Sequence, residues 1–273
     1  MSAPISLCGA APTATTRTSE SGHEDREVMA GKTGGQQRSA QGRRDRRENE
    51  EALGTGTMVI PAPKEVDALM RKLIVFVKAP RPGAVKTRLA KAIGGPAAAA
   101  AYRQLVETLL NQLQGLGGVE VCFSPDDAAR EVQHWLKAGW SSSPQGDGDL
   151  GQRLQSAFQR AFQAGAKHVA IIGSDCPAVK VEDIREAWGG LQTHDVVLGP
   201  ATDGGYWLIG LRQLQPNLFR GVQWSTENVF AATIQRVRHA GLSLHLLREL
   251  VDVDTDREWR AFLAAQNRDR IRA

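Results

Sequence analysis

Residues 73–90 read LIVFVKAPRPGAVKTRLA, and this stretch decides the fold that we predict. Its first part, residues 73–78, is apolar and rich in β-branched side chains. Pro and Gly follow it, which is typical of a buried parallel strand. The loop after the strand lies at its carboxyl end, where open α/β sheets bind ligands. A helix-rich stretch comes next, so the segment predicts a strand, loop and helix of an α/β fold.

The loop after this strand is basic and contains a glycine. It carries Lys78, Arg81, Lys86 and Arg88, while Gly83 lets the backbone turn and approach a ligand closely. Backbone N–H groups at a helix start, together with several cations, form a phosphate site. We therefore expect a nucleotide to contact Lys78, Gly83, Lys86 and Arg88. The alternative is an ordinary connection with solvated basic side chains.

Composition narrows the classes of partner. The 273 residues suffice for one sizeable core or two small ones. The formal net charge is +4, with Lys and Arg interspersed among Asp and Glu, so we expect no nucleic-acid partner. No apolar run approaches membrane-spanning length, and we expect no membrane partner. The three cysteines lie far apart without metal-ligand spacing, which favours a reducing, cytoplasmic setting.

The first 69 residues differ from the rest of the chain. They are rich in Ser, Thr, Gly, Gln, Arg and Glu and have almost no aromatic residues. Such a segment buries too little apolar surface to offset the entropy of ordering, so we predict a disordered tail. We also hypothesise that Met70 is the true initiator and that the folded domain spans residues 70–273. A native peptide from residues 40–60 would contradict this hypothesis.

Strand-like and helix-like segments alternate from Met70 onward. We predict strands at 73–78, 119–123, 168–173, 195–198, 206–211 and 242–247. We predict helices at 97–114, 125–138, 150–164, 181–188 and 226–239, and a final helix opened by a capping box at residues 255–258. This alternation predicts a single α/β domain with one parallel or mixed sheet covered by helices on both faces.

Four aspartates follow predicted strands. Asp175 lies in GSDCP, directly after the strand HVAII, and a carboxylate near a phosphate loop suits a divalent ion. Asp203 precedes two glycines that permit close approach to a ligand. Asp252 and Asp254 lie on one side of an extended segment. The alternatives are helix caps for Asp175 and Asp254, a solvated Asp252, and a plain hairpin at Asp203.

Two further loops are candidate ligand contacts. In GDGDLG, residues Gly148, Asp149 and Gly151 could hold a nucleobase or ribose through backbone groups, or form a turn and an N-cap. QWSTEN, residues 223–228, opens a helix for which Ser225 or Thr226 is the expected N-cap. The substrate-binding residues that we predict are Gly204, Gly205, Tyr206, Trp224, Ser225 and Thr226.

These motifs together resemble a known family. KAPRPGAVKTRLA, GDLGQR, GSDCPAV, GPATDGGYWLIGL, QWST and DVDT, in this order, resemble the rSAM/selenodomain-associated transferase family (type 1). That family belongs to the glycosyltransferase-A, or nucleotide-diphospho-sugar transferase, superfamily. The resemblance covers residues 70–273 and implies a Rossmann-like three-layer sandwich with a mostly parallel sheet. More distantly, VKTRLA and SDCP are similar to segments of phospholactate and molybdenum-cofactor guanylyltransferases.

The resemblance implies an enzyme that uses a nucleotide donor and Mg²⁺ or Mn²⁺. It places Lys86 and Arg88 on phosphates, Asp175 on the metal and Asp203 near a small acceptor. Ser174-Asp175-Cys176 stands where many glycosyltransferases carry D-x-D, so a single carboxylate favours nucleotidyl over glycosyl transfer. We predict Lys86, Asp175 and Asp203 as catalytic residues, and Asp175, Asp203, Asp252 and Asp254 as the metal ligands. The alternative is a non-catalytic nucleotide-binding module.

Overall fold

Strand β1 (Arg71–Lys78) lies near the middle of a seven-stranded sheet, with parallel neighbours on both sides. The computed structural model describes residues 70–272, so the predicted tail and the hypothesis on Met70 as initiator fall outside the described part of the chain. The sheet order is β3-β2-β1-β4-β6-β5-β7. The other strands are β2 (Val119–Ser124), β3 (Ser141–Pro144), β4 (His168–Ile172), β5 (Val196–Pro200), β6 (Tyr206–Leu211) and β7 (Leu244–Leu246).

Most strands run parallel, and β6 alone among these seven runs against its neighbours. A parallel connection needs a crossover of a dozen residues or more. The short loop between β5 and β6 is a hairpin and reverses the chain. The predicted mostly parallel sheet is therefore confirmed.

Helices cover both faces of the sheet. They are α1 (Thr87–Ile93), α2 (Gly95–Gln112), α3 (Ala129–Val132), α4 (Leu150–Gln163), α5 (Val181–Thr193), α6 (Val229–His239) and α7 (Asp256–Arg272). Because side chains alternate along a strand, Val75 of β1 packs into the core under α2 and α5, whereas Ile74 packs into the core under α4 and α6. The three-layer sandwich that the sequence predicted is the observed fold.

Three local predictions are corrected by the structure. The helix predicted at 125–138 is only the single turn α3 followed by a 3-10 turn, since the backbone becomes extended at Leu136. Helix α6 begins at Val229, with Asn228 rather than Ser225 or Thr226 at its N-cap. Strand β3 was not predicted, since its sequence SSSP has no apolar alternation; pairing with β2 makes it a strand.

The described helices include none long and apolar enough to span a bilayer.

Candidate functional site

The strand order brings one lysine and four aspartates to the same edge of the sheet. Strands β1, β4, β5 and β7 point the same way, and the loops after their carboxyl ends carry Lys86, Asp175, Asp203 and the pair Asp252 and Asp254. This is the edge where parallel sheets bind ligands. We refer to these five residues as the carboxylate cluster.

A buried ion pair lies at the centre of the cluster. Lys86 Nζ is 2.5 Å from Asp175 Oδ1 and 3.1 Å from Asp254 Oδ1, and the Lys86 and Asp175 side chains are 1% and 2% exposed. Burial raises the pKa of Asp175, an effect that the Lys86 ammonium opposes. Asp175 does not cap a helix, since α5 begins six residues later and its capping carboxylate is Asp183.

The backbone of Lys86 has the left-handed conformation, with φ 47° and ψ 46°. This conformation costs a non-glycine residue about 1 kcal/mol or more, so the surrounding structure must hold it in place. It occurs where the basic loop turns into α1. The structure thus keeps an unfavourable backbone geometry at the residue whose ammonium lies inside the cluster.

Besides Asp175 Oδ1, which faces the Lys86 ammonium, two buried carboxylate oxygens accept no hydrogen bond from any described residue. They are Asp175 Oδ2 and Asp203 Oδ2. The other oxygen of Asp203, Oδ1, accepts from the Gly205 N–H at 2.8 Å. Burial raises the pKa of Asp203, and repulsion from Asp254 and Asp175 adds to the rise. An unpaired buried oxygen is costly unless a ligand satisfies it, so these atoms indicate a cation or donor that binds there.

Asp252 is buried rather than solvated, with 5% of its surface exposed. Burial raises its pKa to about 7, and the negative charges of Asp203, Asp254 and Asp175 contribute to the rise. Asp254 does not cap α7; it contacts Lys86, and its Oδ2 lies 3.8 Å from Arg88 Nη1. The cluster therefore contains four carboxyl groups against the single ammonium of Lys86.

Hydrogen bonds fix the segments of the cluster to one another. The Lys78 N–H donates to the Tyr102 hydroxyl at 2.8 Å, and that hydroxyl lies 2.8 Å from Ser174 Oγ. The Val253 N–H donates to the Asp175 carbonyl at 2.9 Å. The sequence did not indicate Tyr102, because a tyrosine inside an alanine-rich helix carries no motif, and it indicated no contact for Ser174 of the GSDCP segment. Their contacts join the ends of β1 and β4.

The basic loop is only partly directed at the cluster. Lys86 is inside it, and Arg88, one third exposed, reaches its margin. Arg81 instead pairs with Glu131 at 2.5 Å and Asp127 at 2.9 Å, and these bonds raise the pKa of its guanidinium. Arg81 is thereby held against the α3 segment. Gly83 has φ 82°, as the turn in the loop requires.

The GDGDLG and QWST loops contact each other. Asp149 is the N-cap of α4 and forms a capping box with Gln152, which confirms the structural alternative for this motif. A Cβ on Gly151 would lie 2.7 Å from the Phe219 carbonyl and 2.9 Å from Trp224 Nε1. Gly151 is therefore required for the Trp224 loop to pack on α4. Gly148 has φ 97°.

The DGGY loop is a hairpin and also a packing site. Gly204 has φ 85°, and a Cβ there would lie 2.1 Å from the Glu227 carbonyl oxygen. The backbone conformation and the close packing on Glu227 therefore both require a glycine at this position. Tyr206 is 2% exposed and belongs to the core under α4 and α6 rather than to the open edge. Ser225 has φ 69°, and the Thr226 hydroxyl donates to the Gln223 carbonyl at 2.9 Å.

Within residues 70–272, no three His, Cys, Asp or Glu side chains are arranged closely enough to enclose a metal ion. The ammonium of Lys86 lies between Asp175 and Asp254 instead. The donor set is nonetheless the one that Mg²⁺ and Mn²⁺ prefer, namely carboxylate oxygens, and two of those oxygens lack a partner. The residues present therefore fit a divalent ion chemically.

This chain is similar to a protein of known structure in both sequence and fold. The crystal structure of a protein from Desulfovibrio desulfuricans G20, provisionally named a nucleotide-diphospho-sugar transferase, is 36% identical, with a TM-score of 0.65. The match covers 68% of this chain and 83% of that one. Residues 108–226 also match a family described as an uncharacterized protein conserved in bacteria (DUF2064). Among curated proteins, none matches this sequence.

Two more distant structures are similar in backbone course alone. A 4-diphosphocytidyl-2C-methyl-D-erythritol synthase from Anaerococcus prevotii DSM 20548 is 9% identical, with a TM-score of 0.49, and the match covers 74% of this chain and 100% of that one. A CMP:2-keto-3-deoxy-manno-octonic acid synthetase complexed with CTP is 13% identical, with a TM-score of 0.48 and coverages of 73% and 99%. Neither likeness bears on activity.

Proposed function

We propose that this chain, which belongs to the nucleotide-diphospho-sugar transferase superfamily together with the Desulfovibrio protein, transfers a group from a nucleotide donor to a small acceptor. The observation that carries the proposal is the carboxylate cluster: a buried lysine and four aspartates at the ligand-binding edge of this fold. Within the superfamily, the order of the motifs supports membership of the rSAM/selenodomain-associated group. Cys122 and Cys176 are buried and are not joined in a disulfide, which suits the cytoplasmic setting that we propose.

Lys86 and two neighbouring basic residues would neutralise phosphate charge. Lys86 Nζ already lies at the carboxyl edge of the sheet, and Arg88, one third exposed beside Asp254, is accessible to a ligand. Lys78 lies at the end of β1, and its N–H is held by Tyr102. Charge that grows on phosphate oxygens during transfer is stabilised by such fixed cations. The protein would contribute mainly alignment and charge, with little covalent work.

Asp175, Asp203, Asp252 and Asp254 would hold a Mg²⁺ or Mn²⁺ ion, with the unpartnered Oδ2 atoms of Asp175 and Asp203 as the first candidates for ligands. Such an ion would supply positive charge that offsets the charge of the donor phosphates. Lys86, whose Nζ lies 2.5 Å from Asp175 Oδ1 and 3.1 Å from Asp254 Oδ1, would place a second positive charge beside the same phosphates.

We favour nucleotidyl transfer from an NTP over glycosyl transfer from an NDP-sugar. In the first reaction an acceptor oxygen attacks the α-phosphorus and pyrophosphate leaves. In the second it attacks the anomeric carbon of the sugar and a nucleoside diphosphate leaves. The single carboxylate of Ser174-Asp175-Cys176, in place of a D-x-D pair, supports the first.

The test is thermal unfolding of the protein with a panel of NTPs and NDP-sugars, each with Mn²⁺, Mg²⁺ or EDTA. A ligand at about a hundred times its Kd stabilises a fold by about 2.7 kcal/mol, which is readily measured. Stabilisation by an NTP that EDTA abolishes, followed by pyrophosphate release with an acceptor, would support nucleotidyl transfer. Nucleoside diphosphate release would support glycosyl transfer. Binding without turnover would support a nucleotide-binding module, and no binding would refute the proposal.

A further inference from the structure

A cavity of about 930 Å³ lies beside the carboxylate cluster, and its described lining contains none of the five cluster residues. Helices α2 and α7 form its sides, together with the loop after β4 and the segment after β7. We call it the α2/α7 cavity. Its volume is in the range of cavities that take small organic ligands.

The lining of the α2/α7 cavity is mainly apolar. Val251 and Val253 come from the segment after β7, and Ala261, Phe262 and Ala265 come from one stripe of α7. Val251 is 52% exposed, an unusual exposure for a large apolar side chain in this domain. An apolar lining of this kind favours a ligand with a hydrocarbon or aromatic body.

Charged groups in the lining are almost all positive. Among the described lining residues, Lys180, Arg248, Arg257 and Arg270 are basic and Glu258 is the one acidic residue. Glu258 is already occupied, because it accepts from the Thr255 N–H at 2.7 Å and from Arg257 at 3.2 Å. Arg248 is paired with Asp183 at 2.6 Å and Arg257 with Glu258 at 3.2 Å, so the excess positive charge comes mainly from Lys180 and Arg270. This excess attracts an anion and disfavours a cation.

Hydrogen bonds between the walls hold the cavity in shape. Gln112 Nε2 donates to the Pro177 carbonyl at 2.8 Å, and Gln266 Nε2 donates to Thr108 Oγ1 at 3.0 Å. Arg248 Nη2 donates to the Ala178 carbonyl at 3.0 Å. These bonds link α2, α7 and both loops, so a ligand meets a largely preformed site and loses little affinity to reorganisation.

We propose that the α2/α7 cavity is a second binding site, for a small amphipathic anion with an apolar body and one carboxylate or sulfonate group. The apolar body packs on the α7 stripe and on Val251 and Val253. The anionic group lies near the Lys180 and Arg270 side of the lining. This site shares the loops after β4 and β7 with the carboxylate cluster but uses different side chains of them, and it does not depend on the proposed function.

The probe is 8-anilinonaphthalene-1-sulfonate, an aromatic sulfonate that fluoresces in apolar surroundings, used with the full chain. We expect Ala265→Trp, which places an indole in the cavity, to weaken probe binding by about tenfold or more. The matched control is Ala264→Trp, on the next residue of α7 and outside the lining, which we expect to bind as the natural protein does. Equal binding by both variants, with melting temperatures unchanged, would overturn the proposal.

Charge selectivity provides the second measurement. Decanoate should displace the probe at concentrations about tenfold below those of decanol, and decyltrimethylammonium should not compete, because the cationic lining discriminates by charge. Lys180→Ala combined with Arg270→Ala should remove most of this difference without altering decanol binding. Equal competition by all three compounds, or displacement of the probe by nucleoside triphosphates, would refute a separate anion site.

Discussion

Replacing Asp252 with asparagine removes one of four crowded carboxylates and leaves the shape of the side chain nearly unchanged. In the folded protein the pKa of Asp252 is raised to about 7, first by burial and then by Asp203, Asp254 and Asp175. In the unfolded chain an aspartate titrates near pH 3.9. Between these two values the folded state binds more protons at this site than the unfolded state does. Stability therefore falls as the pH rises through this window, and remains lower above it.

The size of the effect follows from the shift. About three pKa units at about 1.36 kcal/mol each give about 4 kcal/mol as an upper limit, which water entry and side-chain movement reduce. Without metal, we expect Asp252→Asn to raise the free energy of unfolding at pH 8 by about 2–4 kcal/mol. At pH 4 both proteins carry a neutral group there, so the difference should nearly vanish.

Urea unfolding from pH 4 to pH 8 in EDTA measures this difference directly. Asp147→Asn, at an exposed position, is the control and should not alter the pH dependence. Adding Mn²⁺ at pH 8 should stabilise the natural protein more than Asp252→Asn, because a proposed ligand is lost. If the free energy of unfolding depends on pH in the same way for the natural protein and for Asp252→Asn, the interpretation that burial and the neighbouring carboxylates raise the pKa of Asp252 is refuted.

Three further predictions concern single side chains. Asp175→Ala should lower turnover by about a hundredfold or more while the fold remains intact, and near-normal turnover would end the metal hypothesis. Lys86→Met leaves Asp175 and Asp254 without their shared cation, so without metal it should destabilise the fold by about 3 kcal/mol in urea unfolding, with partial recovery in Mn²⁺. Asp183→Asn breaks the bonds from Arg248 at 2.6 and 2.8 Å and should cost about 2 kcal/mol. Because these bonds lower the pKa of Asp183, this contribution is present above about pH 4, and the two proteins should converge as the pH falls through the lowered pKa.

The strands of the central sheet could be predicted from the sequence because they are buried on both faces. A strand such as HVAII must then be continuously apolar, and that pattern is visible without a structure. Strand β3 could not be predicted in this way. Its SSSP residues pair with β2 at the edge of the sheet, and only the neighbouring strand makes them a strand.

The candidate site shows the same division. Asp175, Asp203, Asp252 and Asp254 could be chosen because each follows a strand, and parallel strands end at one edge. The ion pairing of Lys86 within the cluster could not be predicted, because its ammonium contacts Asp254, which is 168 positions away in the chain. Tyr206 shows the converse: its motif predicted a substrate contact, whereas its side chain lies in the core.

The sequence by itself determined the strand and helix pattern, the fold class and the positions of the polar groups along the chain, since these depend on local periodicity and on turn residues. Only the tertiary structure decided which charges face one another and how deeply they are buried. Coulomb energies depend on distance and on the surrounding dielectric, and neither is encoded locally. The paired Lys86, the crowded Asp252 and the α2/α7 cavity all arise from segments that are distant in sequence.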